Sequence, residues 1–255
     1  MKLIRGGALC IGLLGVAGVT QAGVTSTWTA TSDYDFRGIT QTAGDPALQA
    51  SLDYAHPSGW YIGAWSSNLK FGVDESAGTL KDPKIELDVY SGFTKTLDTG
   101  LSYDLGGVYY TYPEETDFNY LELYAGVGFT AKSGASIKGK FFYSPDFGGK
   151  TTPGDTSAEY LGVDGSFPLP QNFSIIAHAG YSFGDYWDSF LKDAALGDNY
   201  FDYSIGVGYS IKKFSLALKW IDGSDLKELD GTPHDFFSSE ARVVFTVATT
   251  FPWGE

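Results

Sequence analysis

Cysteine is all but missing from this chain. The single one, Cys10, sits inside the apolar run ALCIGLLGVAGV (8–19), with Leu9 before it and apolar or small residues after it. A lipoprotein cysteine would end such a run, so none is predicted here. With no second cysteine there is no disulfide and no thiolate pair for a metal. Histidine is scarce as well. His56 falls in a turn, His178 on a strand and His234 in a polar connection, so the three do not converge on a metal ion. Positive charge is short: 17 Lys and Arg face 31 Asp and Glu, a net −14 that repels phosphates and disfavours nucleic acid as a partner. After residue 22 no run of 18 uninterrupted apolar residues occurs, which excludes a membrane-spanning helix. No Gly-x-Ser-x-Gly stretch marks a nucleophile elbow. The acidic stretches DESAGTLKD (74–82) and DGSDLKELDG (222–231) lack the ligand register of a calcium loop. No catalytic residue, cofactor or metal site is predicted.

The first residues read as a targeting segment. Lys2 and Arg5 give a short basic region, residues 8–19 an apolar one, and Thr20 and Ala22 put small residues at −3 and −1 of a cleavage site. The apolar run is too short to cross a bilayer, which takes about 20 apolar residues. A cleaved signal peptide, 1–22, is therefore expected. It leaves 255 − 22 = 233 residues as a single domain, 23–255, with a formal charge of −16 once Lys2 and Arg5 are removed. Aromatics are 16% of the chain, more than soluble domains need and in keeping with the girdles of outer-membrane barrels.

Period-two alternation, the mark of a strand with two different faces, recurs throughout. In NYLELYAGVGFT (119–130), Leu121, Leu123, Ala125, Val127 and Phe129 oppose Tyr120, Glu122, Tyr124, Gly126 and Gly128. KIELDVYSGF (84–93) and FDYSIGVGYSI (201–211) repeat the pattern. Twelve such segments are predicted: 25–37, 46–55, 59–69, 83–97, 100–112, 119–132, 135–144, 157–167, 172–184, 199–211, 213–221 and 238–251. WYIGAWSS (60–67) fits less well, because both its registers hold aromatic or aliphatic residues; a bulge and a girdle crossing both remain open. The connections alternate between tight ones such as LDTG (97–100) and long polar ones such as PDFGGKTTPGDT (145–156). In hydrocarbon no backbone N–H or C=O can stay unpaired, so a sheet there must close on itself. The prediction is an all-β chain: an antiparallel transmembrane β-barrel of twelve strands, with short periplasmic turns and long extracellular loops.

Read from SDYDFRGITQT…PALQASLDYAHPSGWYIGAWSSN (32–68) onward, through ELDVYSG, YDLGGVYYTYP, YLELYAG, YSPDF, FPLP and EARVVFTV, the chain resembles the TorF-type family of proteobacterial proteins taken to be porins, also known as Gcw_chp. The resemblance covers nearly the whole chain after the leader. It implies an outer-membrane barrel with a pore role, and brings no catalytic residues or substrate with it. One departure stands out. Such barrels usually finish on a terminal aromatic, whereas here Pro-Trp-Gly-Glu follows Phe251.

If the apolar register faces lipid, the opposite one lines the lumen. Its predicted charged members are Asp33, Asp35, Arg37, Asp53, Lys84, Glu86, Asp88, Asp104, Glu122, Lys138, Lys140, Asp164, Asp202, Lys219, Glu240 and Arg242. On this reading Tyr34 and Phe36 face lipid near the outer end of the first strand. Asp33, Asp35 and Arg37 point inward, with Arg37 neutralising one or both aspartates. Carboxylates two apart, such as Glu86 and Asp88, arise in any polar-faced strand, so an acid/base pair is not inferred. The expected function is a monomeric outer-membrane porin passing small polar solutes through a narrow, mixed-charge lumen with weak cation or neutral-solute preference. The long connection 184–199, with Tyr186, Trp187 and Phe190, is expected to fold inward. Outer-membrane lipid and the barrel-insertion machinery are the other expected partners. A non-conducting structural or adhesive barrel, plugged by paired charges, and a soluble periplasmic carbohydrate-binding β-sandwich are the alternatives.

Overall fold

The computed structural model describes residues 22–72, 80–151, 157–193, 198–224 and 238–252, with the backbone alone for 190–193. The leader and Cys10, most of the 74–82 stretch, the 222–231 stretch beyond Ser224, the Phe190 side chain, His234 and the tail from Trp253 lie outside the described residues. Twelve strands close into a single antiparallel barrel. They are β1 (Gly23–Thr31), β4 (Ala47–Ala55), β5 (Trp60–Asn68), β6 (Ile85–Thr96), β7 (Leu101–Thr111), β8 (Tyr120–Thr130), β9 (Ser136–Ser144), β10 (Ala158–Pro168), β11 (Phe173–Phe183), β12 (Tyr200–Ile211), β13 (Phe214–Gly223) and β14 (Arg242–Phe251). Two short strands, β2 (Asp35–Phe36) and β3 (Ile39–Thr40), pair with each other as a separate sheet, and an α-helix, α1 (Asp185–Asp193), follows β11. Each barrel strand pairs with its neighbours in sequence. The seam is β1 against β14, from Ser26 opposite Phe251 to Thr31 opposite Thr246. The closed sheet excludes a sandwich.

The alternation has its expected consequence in the wall. On β8, Leu121, Leu123, Val127 and Phe129 are exposed, while Tyr120, Glu122 and Tyr124 are buried inside. The same split runs through β6, where Ile85, Leu87 and Val89 point out and Glu86, Asp88 and Tyr90 point in. WYIGAWSS is regular strand with no bulge, paired without interruption to β4 and to β6. Its inward register is aromatic because the interior there is packed rather than wet. Tyr61 is buried, and Trp65 meets the ring of Tyr34 inside the barrel at 5.3 Å.

Large interior side chains are accommodated by glycines directly across the ladder. Gly92 faces Tyr61 and Gly106 faces Tyr124 in register, and a Cβ on either glycine would come within 2.5 Å of the partner's phenol oxygen. All five tight connections lie at one end of the barrel; the long ones, including the path from β1 to β4, lie at the other.

The first strand ends at Thr31, not at residue 37 as expected, and the last begins at Arg242, not 238. In both cases polar alternation continues past the residue where the ladder stops.

Candidate functional site

Thr31 and Ala47 are register partners, so the barrel wall is complete without residues 32–46. That connection turns inward instead of looping outward. Asp35 pairs with Thr40 and Phe36 with Ile39, leaving Arg37 and Gly38 as a two-residue turn. Both have positive φ, 53° and 83°, the signature of a type I′ hairpin turn. Gly38 is demanded twice over. Beyond its φ, a Cβ there would lie 2.6 Å from the Cβ of Asp202 on β12. The base of the hairpin is held by Asp33, whose Oδ1 accepts from Thr40 Oγ1 at 2.5 Å and Thr42 Oγ1 at 3.0 Å.

This corrects the expectation for SDYDFRGITQT. Tyr34 and Phe36 do not face lipid; both are buried inside the barrel, Tyr34 against Trp65 and Phe36 against Tyr110 at 5.9 Å. Nor does Arg37 neutralise the neighbouring aspartates. It reaches across the barrel to β8, where Nη1 and Nη2 donate to Glu122 Oε1 and Oε2 at 2.9 and 2.6 Å. This is a bidentate pair with both side chains almost wholly buried. Tyr110 Oη donates to the same carboxylate at 3.0 Å. The guanidinium lies over the rings of Tyr160 at 4.3 Å, Phe36 at 4.7 Å and Phe142 at 5.0 Å, which suits a planar cation. Burial disfavours the charge on Arg37, but the Glu122 carboxylate outweighs that and leaves the group above the ordinary arginine range. Tyr200 Oη on β12 donates to the Arg37 carbonyl at 3.1 Å.

The aspartates belong to Arg242, at the start of β14. Its Nε donates to Asp33 Oδ2 and its Nη2 to Asp35 Oδ1, both at 2.5 Å, and its Nη1 donates to the Gly38 carbonyl at 2.9 Å. The hairpin thus touches strands on every side of the lumen: β14 through Arg242, β12 through Tyr200, β10 and β9 through Tyr160 and Phe142, β8 through Glu122, and β7 and β5 through Tyr110 and Trp65. A second aromatic layer joins it at the long-loop end. Trp187 of α1 is buried, 4.7 Å from Tyr200 and 5.6 Å from Phe147, which packs on Tyr120 at 4.8 Å.

Beyond the hairpin's own ion pairs the interior carries smaller charge groups. Lys140 Nζ lies 2.8 Å and Lys138 Nζ 3.8 Å from Asp104 Oδ2. Tyr61 Oη donates to Asp104 Oδ1 at 2.7 Å. Asp53 accepts from Ser51 Oγ at 2.7 Å and from Tyr90 Oη. His178 sits between Asp164, with Nδ1 2.8 Å from Oδ1, and Asp202, with Nε2 3.0 Å from Oδ1. Lys219 is half-buried on β13. Glu86 and Asp88 are buried on β6. Two predicted members do not line the interior: Glu240 and Lys84 are exposed in the connections ahead of β14 and β6. Among the described residues no group of three or more His, Asp or Glu has the geometry to hold a metal ion. Sequence reasoning missed Tyr110, Phe142, Tyr160 and Tyr200, the bed on which the hairpin lies. Their inward register was legible, but the element they would receive was not.

A closed antiparallel barrel with an apolar outer face and a charged, aromatic interior defines the chain as a twelve-stranded β-barrel of the porin type in fold. It belongs to the Gcw_chp family: the family model described as "Bacterial protein of unknown function (Gcw_chp)" matches residues 17–251. Among solved structures it is similar to the KdgM porin (TM-score 0.56, 6% identity, 90% of this chain and 99% of that one). It is also similar to the NanC porin (TM-score 0.57, 8% identity, 89% and 98%). A further similar structure is the KdgM porin in complex with disordered oligogalacturonate (TM-score 0.53, 6% identity, 91% and 99%). At these identities the likeness is one of fold. No curated protein matches the chain at a significant level.

Proposed function

We propose that this protein is an outer-membrane porin, a non-enzymatic channel for passive diffusion of small polar solutes. The observation that carries the reading is the opposition of the barrel's two faces. Leu48, Leu52, Leu105, Val127, Ile205 and Val243 are among the large apolar residues that stand exposed around the outside. An aqueous protein would bury such a belt, and a bilayer receives it. The leader, 1–22, would direct export and be cleaved after Ala22. The insertion machinery would seat the barrel as a monomer with its tight turns in the periplasm and its long connections outside.

The interior's charge supports the solute class. Asp33, Asp35, Asp53, Glu86, Asp88, Asp104, Glu122, Asp164 and Asp202 are nine carboxylates; Arg37, Lys138, Lys140, Lys219 and Arg242 are five cations, so the formal balance is 5 − 9 = −4. Oligogalacturonate, the polyanion named with one KdgM structure, does not suit such an interior; small cations and neutral polar solutes do. Liposomes carrying the purified protein are expected to swell in small neutral sugars and to exclude larger ones. A second reading, the non-conducting structural barrel, is favoured by the packed hairpin and aromatics at the long-loop end. It predicts no swelling with any solute, despite a folded barrel.

A further inference from the structure

The β2–β3 hairpin is not part of the barrel wall, and its placement is specified too fully to be incidental. Its tip is the type I′ turn of Arg37 and Gly38, with φ of 53° and 83°, and the surroundings hold that tip from several sides. Those surroundings are the bidentate bond to Glu122, the rings of Tyr160 and Phe142, the Tyr200 hydroxyl on the Arg37 carbonyl, and the Arg242 clamp on Asp33, Asp35 and Gly38. Arg37 on the inserted hairpin and Glu122 on the wall strand β8 are 85 apart in sequence and are tied inside the barrel.

We propose that this hairpin is the element that sets the size and charge limits of the passage, with Arg37 and Glu122 as its specificity-determining pair. The proposal rests on the channel reading above. The hairpin occupies the long-loop end of the lumen, so the route for a solute is what it leaves open. Arg37 is at once the latch and a positive charge in an interior of net negative formal charge. Releasing the latch widens the route whichever partner is removed, whereas the charge left behind depends on which one it is.

The two partners therefore separate a mechanical role from an electrostatic one. Arg37→Ala and Glu122→Gln, each purified and shown to form a barrel by heat-modifiable migration, are compared with the unaltered protein in planar bilayers under a KCl gradient. Both variants are expected to raise single-channel conductance several-fold. Their reversal potentials are expected to move in opposite directions: Arg37→Ala toward stronger cation preference, Glu122→Gln toward weaker. Opposite selectivity shifts with unchanged conductance would show Arg37 and Glu122 to be wall charges and would overturn the latch. A third variant guards against misfolding of the point mutants. Because Thr31 and Ala47 are already paired, an Asn-Gly turn can replace residues 32–46 and close β1 onto β4 directly. It is expected to give the largest steps of all. Steps from the unaltered protein that this deletion leaves the same size would overturn the proposal and leave the channel reading standing. Silence from every form as a folded barrel would remove both.

Discussion

Strand β8 and the stretch 32–42 read alike in sequence and fold apart. Both alternate charged or polar residues with large apolar or aromatic ones. On β8 the alternation separates two media: Leu123 is 52% exposed on the outside, and Glu122 is 0% exposed within. In the hairpin it separates nothing. Tyr34 and Phe36 are buried at 7% and 8%, and Asp33 and Arg37 at 4% and 5%, because the whole element stands inside the lumen. Period two reports an extended backbone; what each face meets is decided by which segments surround it. A charge on an extended segment is tolerated when the opposite wall supplies its partner, as Glu122 does for Arg37.

Four substitutions and one control break or sharpen this contrast. Phe36→Ala has the largest expected effect, about 3–5 kcal/mol, the usual loss for emptying a buried phenylalanine site. The loss should fall on docking of the hairpin and not on the wall. The readout is trypsin cleavage after Arg37, resisted by the unaltered protein and rapid in the variant, with the barrel fragment still heat-modifiable. Leu123→Arg comes next. A cation on the outer face of β8 is expected to cost about 2–4 kcal/mol near the bilayer midplane, measured by urea unfolding in liposomes. A neutral result would mean that this face does not meet lipid. Gly106→Val drives a side chain into the Tyr124 phenol and the Ser91 carbonyl, 2.5 and 2.6 Å from the added Cβ, and is expected to cost about 1–3 kcal/mol by overpacking. Gly139→Ala, with nothing within 4 Å of its Cβ, is the matched control for that variant. Lys150→Ala has the smallest expected effect. Its bond to Asp117 at 3.3 Å joins two exposed side chains, so its loss should change the stability measured by urea unfolding by less than about 0.5 kcal/mol. An effect as large as that at Phe36 would show that ion pairs on the long-loop surface, and not the buried hairpin, hold this end together.

The wall was legible because its causes are local. Each strand carries its own two-faced pattern, and the turns that end it hold their own residues, such as Gly100, whose φ of 89° and missing Cβ let the chain pass the Thr130 carbonyl. The hairpin was not legible because its causes are remote. The alternation runs through Thr31 without a break, and what stops the strand there is the Arg37-Gly38 turn together with partners far along the chain. Glu122 is 85 residues from Arg37, and Arg242 is 209 residues from Asp33. The Arg-Gly pair between Phe36 and Ile39 was the one local signal, a two-residue turn between short extended runs. Parity likewise placed Glu240 and Lys84 inward, since it cannot tell the first residue of a ladder from the residues just before it. WYIGAWSS reads as irregular for a related reason: of its inward aromatics, Trp65 lies against Tyr34 of the inserted segment and Tyr61 bonds to Asp104 in the interior.

The central claim is that this closed barrel conducts. It is tested most directly by single-channel recording of the purified, unaltered protein in a planar bilayer separating unequal KCl solutions. The account predicts discrete current steps whose reversal potential is near zero or on the cation-preferring side. A barrel folded by heat-modifiable migration that gives no steps, or steps with clear anion preference, would contradict it.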